Sequence, residues 1–245
     1  MLLVEDNPVN QVVALGLLRS LGWHDVTVVT NGQEAIDALA CHSPSLILMD
    51  CQMPVMDGYT ATRHLRAAGC TLPIVAMTAN AMGGDVARCL DAGMSDYLAK
   101  PVTKGSLAET LARWMPAAVP SSDSARTDPS DLARVFDLPV ALERLGDDLP
   151  LLKEVVGSFI DRIPVILADL EPALRSQDTV LAGRHAHSLI GASGAVCADR
   201  VLAIAQQLNR WVQQGDWGAA QLVVSDLRVQ LQAFSVAAQQ LLQGP

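Results

Sequence analysis

Short apolar runs without polar alternation punctuate the first 115 residues, at 2–4, 26–29, 46–49, 74–77 and 97–98. Between them lie stretches of helical spacing near 8–21, 32–41, 58–67, 82–91 and 103–115. Runs this brief suit strands covered on both faces, and their alternation with helices predicts an α/β doubly wound domain: a five-stranded parallel sheet with helices on both sides. Asn7 can cap a helix that has Pro8 in its first position, and Asn31-Gly32 turns out of the second strand.

The pattern changes after residue 115. Residues 116–137 are rich in Pro, Ser and Asp and carry no periodicity, so they read as a flexible linker. From 139 to 241 helical spacing persists and no strand pattern returns, with expected breaks at Gly146-Asp147-Asp148, Gln177-Asp178, Gly191 to Gly194 and Gly215-Asp216. Amphipathic helices joined by short turns predict an all-α helical bundle. The expected domains are thus 1–115 and 138–245.

Composition narrows the functional classes. Half the residues are apolar and 18% are charged, which suits folded domains, and the net charge of -9 argues against a nucleic-acid interface or a basic membrane-binding face. The five cysteines are scattered without a C-x-x-C pair, so buried reduced thiols in a cytosolic protein are expected, with no disulfide framework or zinc site. The N-terminus carries Glu5 and Asp6 where a signal peptide needs a basic start, and no run is long enough for a membrane span.

In a doubly wound sheet the loops leaving the carboxyl ends of the strands form the ligand crevice. The polar residues expected there are Glu5 and Asp6 after the first strand, Asp50 after the third, Thr78 after the fourth and Lys100 after the fifth. Clustered carboxylates repel one another, and Mg²⁺ with oxygen ligands is the usual remedy in a cleft that also receives phosphate. Asp50 then has two conceivable roles, metal ligand and nucleophile toward phosphorus. Gly83-Gly84 is an isolated pair at an expected helix start, not a phosphate-cradling loop.

The segments Val4-Glu5-Asp6-Asn7-Pro8-Val9-Asn10-Gln11, Met49-Asp50-Cys51-Gln52-Met53-Pro54-Val55-Met56-Asp57-Gly58, Met77-Thr78-Ala79-Asn80 and Asp96-Tyr97-Leu98-Ala99-Lys100-Pro101 resemble, in order, the motifs of two-component receiver domains. The first is similar to receivers attached to hybrid sensor histidine kinases. The resemblance implies a flavodoxin-like fold with Asp50 as phosphoacceptor. It also implies Mg²⁺ held by Asp6, Asp50 and the Gln52 backbone carbonyl with help from Glu5, and Lys100 on the phosphoryl group before a cis Pro101. Thr78 and Tyr97 would form the switch, Tyr97 having the alternative of a partly buried strand aromatic. Gln52 and Asn80 would reach the water that attacks the acyl phosphate.

In the second domain, Arg184 to Val196 contains two histidines. On a helical wheel Leu181, His185, Leu189, Ala192 and Val196 share one side, taken as the core face. His187 lies opposite with Gly183, Arg184, Ile190, Gly191 and Gly194, a glycine clearing that lets another protein approach the imidazole. Ala186-His187-Ser188-Leu189-Ile190-Gly191-Ala192-Ser193-Gly194-Ala195 resembles the active helix of histidine phosphotransfer (Hpt) domains. The family usually has lysine three residues after the histidine. Here Ile190 stands there, and Arg184 is a candidate substitute.

Jointly, the resemblance implies a phosphorelay intermediate. A phosphoryl group arrives on Asp50 from an upstream sensor histidine kinase, passes to His187 and leaves for a downstream response regulator receiver. Cytoplasmic location is expected, as a short adaptor or as the cytoplasmic part of a membrane-bound hybrid kinase. No ATP-binding kinase motif or DNA-binding element is found. Two other readings stand beside this one: a phosphorylation-switched module that restrains a partner, and a phosphate sink through autodephosphorylation of Asp50.

Overall fold

The computed structural model describes residues 1–79, 84–115 and 136–242. The chain divides into two compact units, Met1–Ser124 and Ala125–Pro245. Asn80 and residues 116–135 of the expected linker lie outside the described residues.

The first unit contains β1 (Leu2–Val4), α1 (Pro8–Ser20), β2 (Thr27–Val29), α2 (Gly32–Cys41), β3 (Ile47–Asp50), α3 (Gly58–Ala67), β4 (Ile74–Thr78), α4 (Gly84–Asp91), β5 (Asp96–Ala99) and α5 (Lys104–Trp114). All strand pairs are parallel, in the order β2-β1-β3-β4-β5. β1, β3 and β4 are buried at every position, as continuous apolar runs require. The edge strands β2 and β5 are only partly covered, and Tyr97 on β5 is exposed.

Helix starts follow from local chemistry. Asn7 accepts from the Val9 amide, Asn31 from Glu34, and Asp57 from Thr60, so each satisfies an amide that the helix itself cannot. The sheet is tied from its side by Arg66, whose guanidinium donates to the carbonyls of Gly93, Cys70 and Leu72 and to Ser95 Oγ, all within 3.2 Å. One side chain thereby joins the end of α3 to the turns that enter β4 and β5. Of the five cysteines, Cys51, Cys89 and Cys197 are buried; Cys41 is exposed and Cys70 partly so, which corrects the expectation of uniformly buried thiols.

The second unit is all helical: α6 (Leu138–Arg144), α7 (Leu149–Arg175), α8 (Thr179–Ala195), α9 (Asp199–Gln214) and α10 (Trp217–Leu242). Its core includes Phe159 and Phe234, packed edge to face at 5.2 Å, and Phe136 packs on Phe234 in the same way at 5.4 Å. Phe136 and Asp137, the end of the expected linker, therefore belong with the bundle; Asp137 also caps α6 through the Val140 amide. Gly215 takes the left-handed conformation at φ 74 and Asp216 accepts from the Ala219 amide, as the sequence predicts for that break.

The expected break at Gly191 to Gly194 does not occur. α8 runs through both glycines to Ala195, and the chain turns at Cys197, which has φ 53. Glycine weakens a helix interior but does not end it when the helix is held by its neighbours. Ser193, buried between those glycines, keeps its hydroxyl within the helix by donating to the Leu189 carbonyl at 2.5 Å. No helix among the described residues is long and apolar enough to cross a membrane.

Candidate functional site

Parallel pairing of β1, β3, β4 and β5 brings Glu5, Asp6, Asp50, Thr78 and Lys100 to one edge of the sheet. One oxygen from each of Glu5, Asp6 and Asp50 lies within 4.8 Å of the others. Lys100 Nζ stands 2.7 Å from Glu5 Oε2 and 2.7 Å from Asp50 Oδ2. Glu5, Asp50 and Thr78 are at most 4% exposed, whereas Asp6 is half-buried. The Lys100–Pro101 peptide is cis.

Burial dominates the electrostatics. It pushes the Glu5 carboxyl up to about 7, with Asp50 adding to the rise and Lys100 opposing it. Asp50 is likewise raised, first by burial, against Lys100 and with a further push from Asp6. Burial works against the Lys100 ammonium, but Asp50 and Glu5 together overcome it and hold the amine above the ordinary lysine range. Three carboxylates face one ammonium, so the cluster has an excess of negative charge in a desolvated place. That donor set, all hard oxygen, fits a small divalent cation such as Mg²⁺.

The supports of this cluster come from residues whose part in holding the carboxylates the sequence does not disclose. Glu5 Oε1 accepts from the Asn7 amide and from Asn10 Nδ2, each at 3.1 Å, so the helix start that follows β1 also fixes the Glu5 carboxylate. Asp50 Oδ1 accepts from the Gln52 amide at 3.2 Å, while the Gln52 side chain is exposed. Gly58 opens α3 against β3, where a Cβ would stand 2.1 Å from the Asp50 carbonyl oxygen. The Met-Asp-Gly run before α3 was the available signal, because a glycine at a helix start beside a strand end marks close backbone approach. Gly58→Ala is expected to lower the stability of the first unit by about 1–3 kcal/mol through forced displacement of that strand end. A urea midpoint equal to wild type would show that the contact relaxes freely. Val55, in the same loop, is 83% exposed and holds φ 65, an uncommon conformation for a β-branched residue.

In the second unit the core face of α8 is about a quarter-turn from the expected one. Ala182, Ala186, Leu189 and Ser193 are buried and define it. Leu189, Ala192 and Val196 are buried as expected, but Leu181 is 41% exposed and His185 only half-buried. Conversely Gly183 and Gly194 are buried against the rest of the bundle and do not form an open surface clearing. A Cβ on Gly183 would stand 3.1 Å from Gln213 Nε2 and 3.9 Å from Val212 Cγ1 of α9. His187, Arg184, Ile190 and Gly191 remain partly exposed on one flank of the helix. The observed face differs from the helical-wheel expectation because small residues, which the wheel places outward, also mark close helix packing.

Burial lowers the pKa of His185, with Asp169 of α7 opposing and Arg184 and Arg162 reinforcing the shift. A histidine whose pKa is lowered by folding binds a proton more readily when unfolded. Stability is thus fully present above the ordinary value of 6.5 and falls as the pH drops below it. Thermal midpoints of the bundle are expected to decline on acidification below about 6.5, and the part removed by His185→Gln isolates this contribution. An unchanged decline in His185→Gln would assign it to other groups.

Residues 1–112 match the family described as the response regulator receiver domain, and residues 154–240 match the Hpt domain family. The two-component response regulator ORR41 of Oryza sativa subsp. japonica is 42% identical over 46% of this chain and 91% of its own length. The sensor protein GacS of Pseudomonas syringae pv. syringae is 32% identical over 77% of this chain. The chain spans 21% of the length of that protein. Among solved structures, the receiver domain of sensor histidine kinase PA1611 from Pseudomonas aeruginosa, described with a magnesium ion coordinated in its active-site cleft, is 52% identical, with a TM-score of 0.44 over 47% of this chain and 96% of that one.

Proposed function

Because the chain belongs to the two-component phosphorelay proteins, with a response regulator receiver domain followed by an Hpt domain, we propose that Asp50 and His187 are successive stations of one relay. Asp50 takes the phosphoryl group from an upstream sensor histidine kinase. His187 then carries it toward a downstream response regulator receiver. The observation that supports this most is the buried Asp50 carboxylate at the end of β3, with Lys100 Nζ at 2.7 Å and two further carboxylates beside it.

The chemistry follows from the geometry. An Asp50 oxygen attacks the phosphorus of a donor phosphohistidine; the new P–O bond forms as the P–N bond breaks, and the electron pair returns to the donor imidazole. Lys100, on the Oδ2 side of Asp50, meets the charge on the transferring oxygens, and the Thr78 hydroxyl lies at the end of the neighbouring strand. Glu5, Asp6, Asp50 and the Gln52 carbonyl would hold Mg²⁺, which supplies charge neutralisation at those same oxygens when bound. Tyr97, exposed on β5, and Thr78 would report the modified state to the surface. The second transfer is the reverse in kind: an imidazole nitrogen attacks, the P–O bond breaks and the carboxylate is restored. Cytoplasmic location belongs to this reading.

Ile190, in the place of the usual lysine, favours a second reading in which the bundle transfers poorly and the receiver chiefly restrains a partner. Incubating the chain with a phosphorylated kinase core and Mg²⁺, beside Asp50→Ala and His187→Ala, separates the two. Label on both residues and then on a second receiver supports the relay. Label confined to Asp50 supports the restraining module, and rapid release of inorganic phosphate supports a sink.

A further inference from the structure

Ile190 stands on α8 where the resemblance would lead one to expect a cation. We propose that Gln213, near the end of α9, positions the phosphoryl group on His187 by donating its side-chain amide to a phosphoryl oxygen. This rests on the reading of His187 as the phosphoacceptor.

Three observations carry the proposal. First, Gly183 lies one turn before His187, and residues four apart share a helix face. Second, Gln213 Nε2 occupies the space over Gly183, 3.1 Å from where a Cβ would be, so the glycine admits this amide to the face that bears His187. An alanine there would crowd it. Third, helical side chains lean toward the N-terminus and cover the turn before their own Cα, and for His187 that turn is the one that holds Gly183. Gln213 is exposed, so its side-chain amide is a donor open to a group bound on that face. Ile190 offers no donor, and Arg184 is an alternative on α8 itself.

When an imidazole nitrogen attacks the acyl phosphate, the P–O bond breaks, the P–N bond forms and the carboxylate leaves with the electron pair. The amide bonds to a phosphoryl oxygen and takes no proton. Its value is that of a hydrogen bond to a charged group, so its loss is expected to slow transfer onto His187 by about tenfold.

The test uses the full chain and phosphoramidate, whose P–N bond breaks with release of ammonia as the phosphoryl group moves to histidine. Asp50→Ala is the background, so that label reports His187 alone, and His187→Ala in that background must abolish it. Gln213→Leu is expected to slow labelling and shorten the lifetime of phosphohistidine with an unchanged thermal midpoint, and Gln213→Lys is expected to rescue both. In ¹⁵N spectra the Gln213 side-chain amide is expected to shift on phosphorylation. If His187 is labelled while Gln213→Leu matches the parent in rate and lifetime and the amide does not shift, the proposal is overturned although the phosphoacceptor stands. Loss of the His187-dependence of labelling would instead remove the reading on which it rests.

Discussion

Asp50→Asn is expected to abolish acceptance of the phosphoryl group from a phosphorylated kinase core, while the receiver domain stays folded. The amide is nearly the same size as the carboxylate, so packing at the end of β3 is kept, but it lacks the ionised oxygen that attacks phosphorus. It also removes one of the three carboxylates gathered within 4.8 Å, and the Mg²⁺ site loses an anionic ligand. Two readouts follow: acid-precipitable label on the receiver, expected to be absent, and the rise of its thermal midpoint on adding Mg²⁺, expected to shrink. A ligand present at a hundred times its dissociation constant stabilises by about 2.7 kcal/mol, so the wild-type rise is large enough to measure. Acceptance at the wild-type rate by Asp50→Asn would move the nucleophile elsewhere.

Lys100→Met is expected to destabilise the metal-free receiver domain by about 3–5 kcal/mol, because truncating one partner of a buried ion pair leaves the other charge uncompensated. Here two buried carboxylates lose the same ammonium, since Lys100 Nζ is 2.7 Å from each of Glu5 and Asp50. Double replacement with Glu5→Gln should recover part of the loss, and urea unfolding of the single and double variants measures the coupling. A single variant as stable as wild type would mean that the cluster is compensated without Lys100.

How far the sequence disclosed this molecule depended on the kind of signal. The first domain was legible because buried parallel strands leave continuous apolar runs, and because strand ends on one edge force Glu5, Asp6, Asp50, Thr78 and Lys100 together whatever their sequence separation. The boundaries differ by a residue or two, as at β2, which begins at Thr27. What was not legible were contacts made through small residues. Gly58 against the Asp50 carbonyl and Gly183 against Gln213 are defined by what an absent Cβ would strike, which periodicity does not encode. The same blindness placed a break at Gly191 to Gly194 and turned the face of α8. Glycine was read as a terminator and as a surface residue, and tertiary packing made it a helix-interior contact at Gly183 and Gly194. The hold of Asn7 and Asn10 on Glu5 was hidden for another reason: a cap residue and a site residue looked like separate features until their atoms met.

The central claim is that one phosphoryl group visits Asp50 and then His187. Acyl phosphates are cleaved by alkali and hydroxylamine, whereas phosphohistidine survives alkali and is lost in acid, so the two pools can be read from one sample. In a pulse-chase on the full chain with Mg²⁺, alkali-labile label should appear first and decay as acid-labile label rises. The acid-labile pool should be absent from both His187→Ala and Asp50→Asn. Acid-labile label forming at the wild-type rate in Asp50→Asn from the same kinase core would contradict the account, since His187 would then be filled without the receiver.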